Sequence, residues 1–207
     1  TEKTKLVAFT HVSNLLGTIN NVKEITAFVH ARDALVWVDA VAYAPHRAID
    51  VLDWNVDFYA LSLYKTCGPH HAALYCRRDH LQELDGLYHY FYGKDKVPAK
   101  MEPGNANYEL SFASGAIVDY LVTLGEQAGA TGSNRKKLEA AFVDIEEQET
   151  ILCKLVLNYL QKRNDCSILG IKDGSDPRKV PTIAFTVHNK DSEQICLSMD
   201  KHKIAIR

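Results

Sequence analysis

Residues Ala34–Val38 (ALVWV) form an unbroken apolar run. A strand with apolar side chains on both faces has to be covered on both, which places it inside a largely parallel sheet shielded by crossover segments. Short β-rich runs lie on either side, at Lys5–Thr10 (KLVAFT), Val56–Leu61 (VDFYAL) and Ala72–Cys76 (AALYC). Between the first two, residues 21–32 (NVKEITAFVHAR) put Val22, Ile25, Ala27, Phe28 and Val29 near one helical face, with Asn21 at the N-cap position. Strand, helix, strand, loop, strand is the rhythm of an α/β domain.

Farther on, Glu109–Gln127 reads as helical, and Gly129–Asn134 (GATGSN) as a linker. Arg135–Lys162 reads as one long amphipathic helix. Cys166–Ile171 and Thr182–Val187 follow as strands, and Ser192–Lys201 as a short helix. The expected division is a large α/β domain over residues 1–128 and a smaller α+β domain over 129–207. The chain opens on Thr1, and Lys203–Arg207 (KIAIR) reads as a strand cut at its edge, so a fragment of a longer protein is expected.

The 207 residues suffice for a buried core, with 46% apolar and 24% charged residues. A formal net charge of -2 gives no positive field to recruit nucleic acid or an acidic membrane. No apolar run approaches the roughly 20 residues that span a bilayer. The five cysteines (67, 76, 153, 166 and 196) are odd in number and irregularly spaced. That pattern argues for reduced thiols in a cytoplasmic setting rather than a disulfide framework.

In parallel sheets, ligands sit at the carboxyl ends of the strands. Three runs here lead into polar groups at that end: Asn14, Asp39 and Lys65. A lysine beside an aspartate in such a place suits pyridoxal 5'-phosphate (PLP). The amine condenses with the aldehyde, and the carboxylate pairs with the protonated ring nitrogen. Asn14 can bond the ring's 3-hydroxyl oxygen, and Ser62 can donate to the phosphate. Spacing alone leaves open that Lys65 is a solvated loop lysine and Asp39 a turn cap.

The stretches THVSNLLGTIN, VWVDAVAYAPHRAIDV and DFYALSLYKTCGPHHAALY resemble the core of cysteine desulfurases and selenocysteine lyases. These are class V aminotransferase relatives of fold type I. MEPGNANYEL resembles their glycine-containing segment near the dimer interface, and IAIR the strand before the catalytic-cysteine loop. The resemblance implies Lys65 as Schiff-base lysine, Asp39 as pyridinium partner, and Asn14 and Ser62 as contacts of the 3-hydroxyl and phosphate. It also implies Arg207 near the substrate, a homodimer, a cysteine-like amino-acid substrate and a sulfur-acceptor protein.

This sequence departs from the family pattern in places. Tyr64 precedes the lysine where many members have histidine, and Tyr64-Lys65 with Gly68-Pro69-His70 is nearer a divergent desulfurase-like branch. Ala42 replaces a cofactor-contacting glutamine, and Asn105 a threonine that contacts phosphate from the partner subunit. The upstream phosphate loop and the sulfur-accepting cysteine fall outside the sequence, so the fragment alone is expected to be inactive. Ala42 and Asn105 leave a non-catalytic dimeric binding or scaffold protein as the alternative. A missing sulfur-accepting cysteine would favour a lyase, epimerase or transaminase.

Other readings of the same residues are weaker. Ser62-x-x-Lys65 fits an acyl-transferase pattern, but it follows a strand and lacks a downstream Lys-Thr-Gly. Cys67, His70 and His71 lack a second ligand pair for zinc, although His80 and His89 lie downstream, so no metal is expected. Tyr88, Tyr90, Phe91 and Tyr92 read as an interface or substrate-mouth segment rather than a base-stacking platform. His46 and Arg47 read as loop residues. No G-x-G-x-x-G follows the first strand, so the dinucleotide-binding turn is lacking.

Overall fold

The structure is a computed structural model that describes residues 1–87, 90–104 and 106–207. Tyr88, His89 and Asn105, singled out above, lie outside the described residues. Two compact units are present: residues 1–12 with 20–145, and residues 13–19 with 146–207. The division falls inside the longest helix.

The first unit is built on a four-stranded sheet in the order β1 (Leu6–Thr10), β2 (Leu35–Asp39), β3 (Phe58–Ser62), β4 (Ala72–Cys76). β1, β2 and β3 are mutually parallel, and β4 runs antiparallel to β3. Helix α1 (Val22–His30) links β1 to β2 and packs on β2. The Asn21 side chain caps it, accepting a hydrogen bond from the Glu24 amide at 3.3 Å. The register aligns Phe9 with Val38 and Val38 with Tyr59. Val36, Val38 and Tyr59 on that face are buried, whereas Leu6, Ala8 and Asp39 on the other are exposed.

α2 (Arg78–Glu83) follows β4. The fully buried Lys100 closes its carboxyl end, its ammonium donating to the carbonyls of Gln82 (3.1 Å) and Leu84 (2.6 Å). The expected helix over 109–127 is two helices, α3 (Tyr108–Ala113) and α4 (Ala116–Gln127). The break falls at Ser114-Gly115. Gly115 favours helix weakly, and the Ser114 hydroxyl donates back to the Leu110 carbonyl at 2.7 Å. Ile117, Leu121 and Phe142 form a core cluster between α4 and α5 (Asn134–Gln161).

The second unit takes the latter part of α5, the antiparallel pair β5 (Cys166–Leu169) and β6 (Ala184–Val187), and α6 (Ser192–Asp200). Lys203–Arg207, expected as a strand, has no strand pairing. An apolar run becomes a strand only when a neighbour accepts its backbone hydrogen bonds.

Candidate cofactor site

Within the first unit the register aligns Thr10, Asp39 and Ala60 at the carboxyl edge of the three parallel strands. Asp39 is the last residue of β2 and is exposed. Its Oδ1 accepts the Val41 amide at 3.0 Å, which fixes the carboxylate against the turn that follows. Ser62 ends β3 two residues beyond Ala60, on the same face as Asp39 by alternation, and is buried. A 3-10 turn, Leu63–Lys65, then carries the lysine. Lys65 is exposed, with its ammonium 5.9 Å from the Tyr64 ring centroid. Tyr64 in turn stacks on His70, centroids 5.2 Å apart.

Thr66, immediately after the lysine, has a buried hydroxyl with no hydrogen-bond partner among the described residues. A native structure seldom leaves such a group orphaned, so it is available to a ligand or water. An amine, an oriented carboxylate and an unsatisfied hydroxyl, all carried at one sheet edge or the turn beyond it, fit an aldehyde-bearing phosphorylated pyridine. Thr66 was missed in the sequence because nothing local distinguishes it from other loop threonines.

Asn14 and Arg207 are brought together in the second unit. They line a cavity of about 490 Å³ with Leu15, Thr182, Phe185 and Cys196, among others. The Asn14 loop is fastened there at several points. The Ile19 amide donates to the Arg178 carbonyl at 2.8 Å, and the Val180 amide to the Gly17 carbonyl at 2.9 Å. The buried Lys179 ammonium donates to the carbonyls of Leu16 (3.1 Å) and Thr182 (2.8 Å). Burial lowers the Lys179 pKa.

Gly17 has φ +70°, and an added Cβ would lie 2.7 Å from the Thr182 carbonyl oxygen. Gly17→Ala is therefore expected to cost about 1–3 kcal/mol and loosen the loop. Faster hydrogen exchange of the Ile19 and Val180 amides checks this.

Of the residues weighed for zinc, the described ones are otherwise engaged or open to solvent. His71 Nε2 lies 3.3 Å from the Ser111 hydroxyl, and Cys67 is exposed. Among the described residues no three His, Cys, Asp or Glu side chains are grouped to hold a metal ion. No helix of the described residues is long and apolar enough to cross a membrane. Tyr90 and Phe91 are exposed.

The class V aminotransferase family model matches residues 1–207. An aminotransferase-like protein of Gibberella zeae is 39% identical over 94% of this chain and 46% of its own length. The cysteine desulfurase-like protein ustD of Aspergillus flavus is 32% identical over 96% of this chain and 42% of its own length. The chain thus spans about half the length of the curated relatives it matches. In fold it is similar to the cysteine desulfurase CsdA of Escherichia coli. The TM-score is 0.71 at 21% identity, over 100% of this chain and 49% of the other. The sheet expected from the apolar runs is therefore that of fold type I, and the chain belongs to the class V aminotransferase family.

Proposed function

We propose that the protein containing this chain is a PLP enzyme that removes sulfur from cysteine or carries out a related β-elimination, with Lys65 holding the cofactor. The observation that carries this reading is the placement of Asp39 at the end of β2 and of Lys65 in the turn after the adjacent parallel strand β3. Kinship with the cysteine desulfurase-like proteins supports it.

When bound, pyridoxal phosphate supplies an aldehyde for attachment and a ring that accepts electrons. Lys65 would make the attachment and, once freed, would take and return the proton at the substrate α-carbon. Asp39, held by the Val41 amide, would pair its free oxygen with the ring nitrogen and keep that nitrogen protonated. Ser62 would donate to the phosphate, Asn14 would bond the ring hydroxyl, and Arg207 would receive the substrate carboxylate. The finer reading adds a homodimer, a sulfur-acceptor protein and a cytoplasmic setting, the last supported by five free cysteines. Residues 1–128 contribute to the cofactor-binding domain and 129–207 to the smaller one.

The test is borohydride reduction of the whole protein followed by peptide mapping. A reduced pyridoxyl adduct on Lys65 is expected, and an adduct on any other lysine removes the assignment. Asp39→Asn is expected to lower turnover of cysteine to alanine by roughly 10²–10³-fold, the scale for losing one preorganised electrostatic group. Steady-state alanine release measures it.

A further inference from the structure

Below the carboxyl edge of the sheet lies a group of side chains with no part in the scheme above. His11, the residue after β1, is buried, and its Nδ1 lies 2.8 Å from the hydroxyl of the fully buried Tyr59 on β3. Its ring stacks on Tyr43 with centroids 3.5 Å apart and planes 6° from parallel. Trp54 meets the same ring edge-on at 4.9 Å. Burial pushes the His11 pKa down to about 3 and raises that of Tyr59, so the pair adds no charge beneath Asp39.

The backbone ties this group to the site. The His11 amide donates to the Asp39 carbonyl at 2.7 Å. Tyr43, the stacking partner, lies in the turn whose Val41 amide holds the Asp39 carboxylate, and its own amide donates to the Ala40 carbonyl at 2.9 Å. The Ala40 amide donates across to Ala60 on β3 at 2.8 Å. His11 is thus pinned to β3 through Tyr59, to the end of β2 through Asp39, and to the turn through Tyr43.

We propose that His11 is a positioning residue for Asp39, its ring wedged between Tyr59 and Tyr43 so that the turn aims the carboxylate at the cofactor ring. The proposal rests on the PLP reading above. It assigns a hydrogen bond 48 residues long in sequence to the orientation of one side chain. A carboxylate at the tip of a strand rotates freely unless the turn behind it is rigid, and stacked, hydrogen-bonded aromatic groups supply that rigidity.

The experiment measures pyridoxal phosphate affinity and the pH titration of the bound cofactor's visible band in the whole protein. His11→Phe keeps a ring but loses Nδ1, His11→Asn restores a polar group near the Nδ1 position, and Tyr59→Phe removes the partner hydroxyl. Each is compared with Asp39→Ala alone and in combination. His11→Phe is expected to weaken affinity roughly five- to tenfold, the scale of one lost hydrogen bond. It should also shift the titration, His11→Asn should recover part of both, and neither effect should persist on the Asp39→Ala background.

Full effects on that background, or an unchanged titration in a folded variant, overturn the proposal. If His11→Phe does not fold, Tyr59→Phe decides by the same criteria. A wild-type protein that binds no pyridoxal phosphate overturns the PLP reading itself, and this inference with it.

Discussion

Lys65→Ala in the whole protein is expected to abolish the borohydride-reducible adduct and to cut turnover by about 10²–10⁴-fold, the range for one positioned acid–base group. The loss is large because, in the proposed function, one amine does two jobs: it would anchor the cofactor covalently and, once displaced by substrate, would be the base at the α-carbon. Folding should be unaffected, since Lys65 is exposed and lies in a single 3-10 turn. Circular dichroism and thermal melting of the cofactor-free protein check that separately. Visible absorbance that persists as a covalent adduct in the variant would discredit Lys65. Lys65→Arg should be no better than alanine, because a guanidinium keeps its charge and does not condense with an aldehyde.

Asp57→Ala is the substitution expected to cost most stability, about 3–5 kcal/mol, the range for breaking a buried charge cluster. Asp57 is 1% exposed, just before β3 at the edge opposite Asp39. One carboxylate oxygen accepts the Val36 amide at 2.8 Å and lies 2.7 Å from His30 Nε2. The other lies 2.9 Å from His80 Nε2. The side chain therefore joins the ends of α1 and β2 to α2, and its removal leaves several donors unsatisfied together.

Burial pushes the Asp57 pKa up, but the bonds from His30, Val36 and His80 outweigh it and hold the carboxyl below its ordinary value. A depressed folded-state pKa gives stability that is fully present above the unfolded value, about 3.9. That stability is lost as pH falls through the folded value. The wild type should therefore lose stability below about pH 4 with a component absent in Asp57→Asn. Thermal midpoints from pH 2 to 7 measure it, and identical acid limbs would refute it.

Much of the first unit was readable from short stretches. Val22–His30 and its Asn21 cap follow from periodicity and one side-chain acceptor, both local properties. The run ALVWV specified a strand of a parallel sheet, although only the Val36–Val38 face is buried and the Leu35–Trp37 face is partly open, and Asp39 at its end was legible as a polar group at the sheet edge. The break at Ser114-Gly115 was not legible. A helix tolerates one glycine when packing favours continuity, and sequence does not report the packing.

The sequence by itself determined the strand–helix–strand order of β1, α1, β2 and β3 and that Asp39 and Lys65 lie at or just beyond the carboxyl ends of their strands. Only the tertiary structure decided what surrounds them. The His30–Asp57–His80 contacts join residues 27 and 23 positions apart, and His11 reaches Tyr59 across 48. Lys100, which any sequence scale would place in water, is buried against two carbonyls of a helix end. The reason is physical. Propensity and capping depend on neighbours within a few residues. The partner of a buried polar group is chosen by whatever donors and acceptors the packed sheet brings within hydrogen-bonding distance.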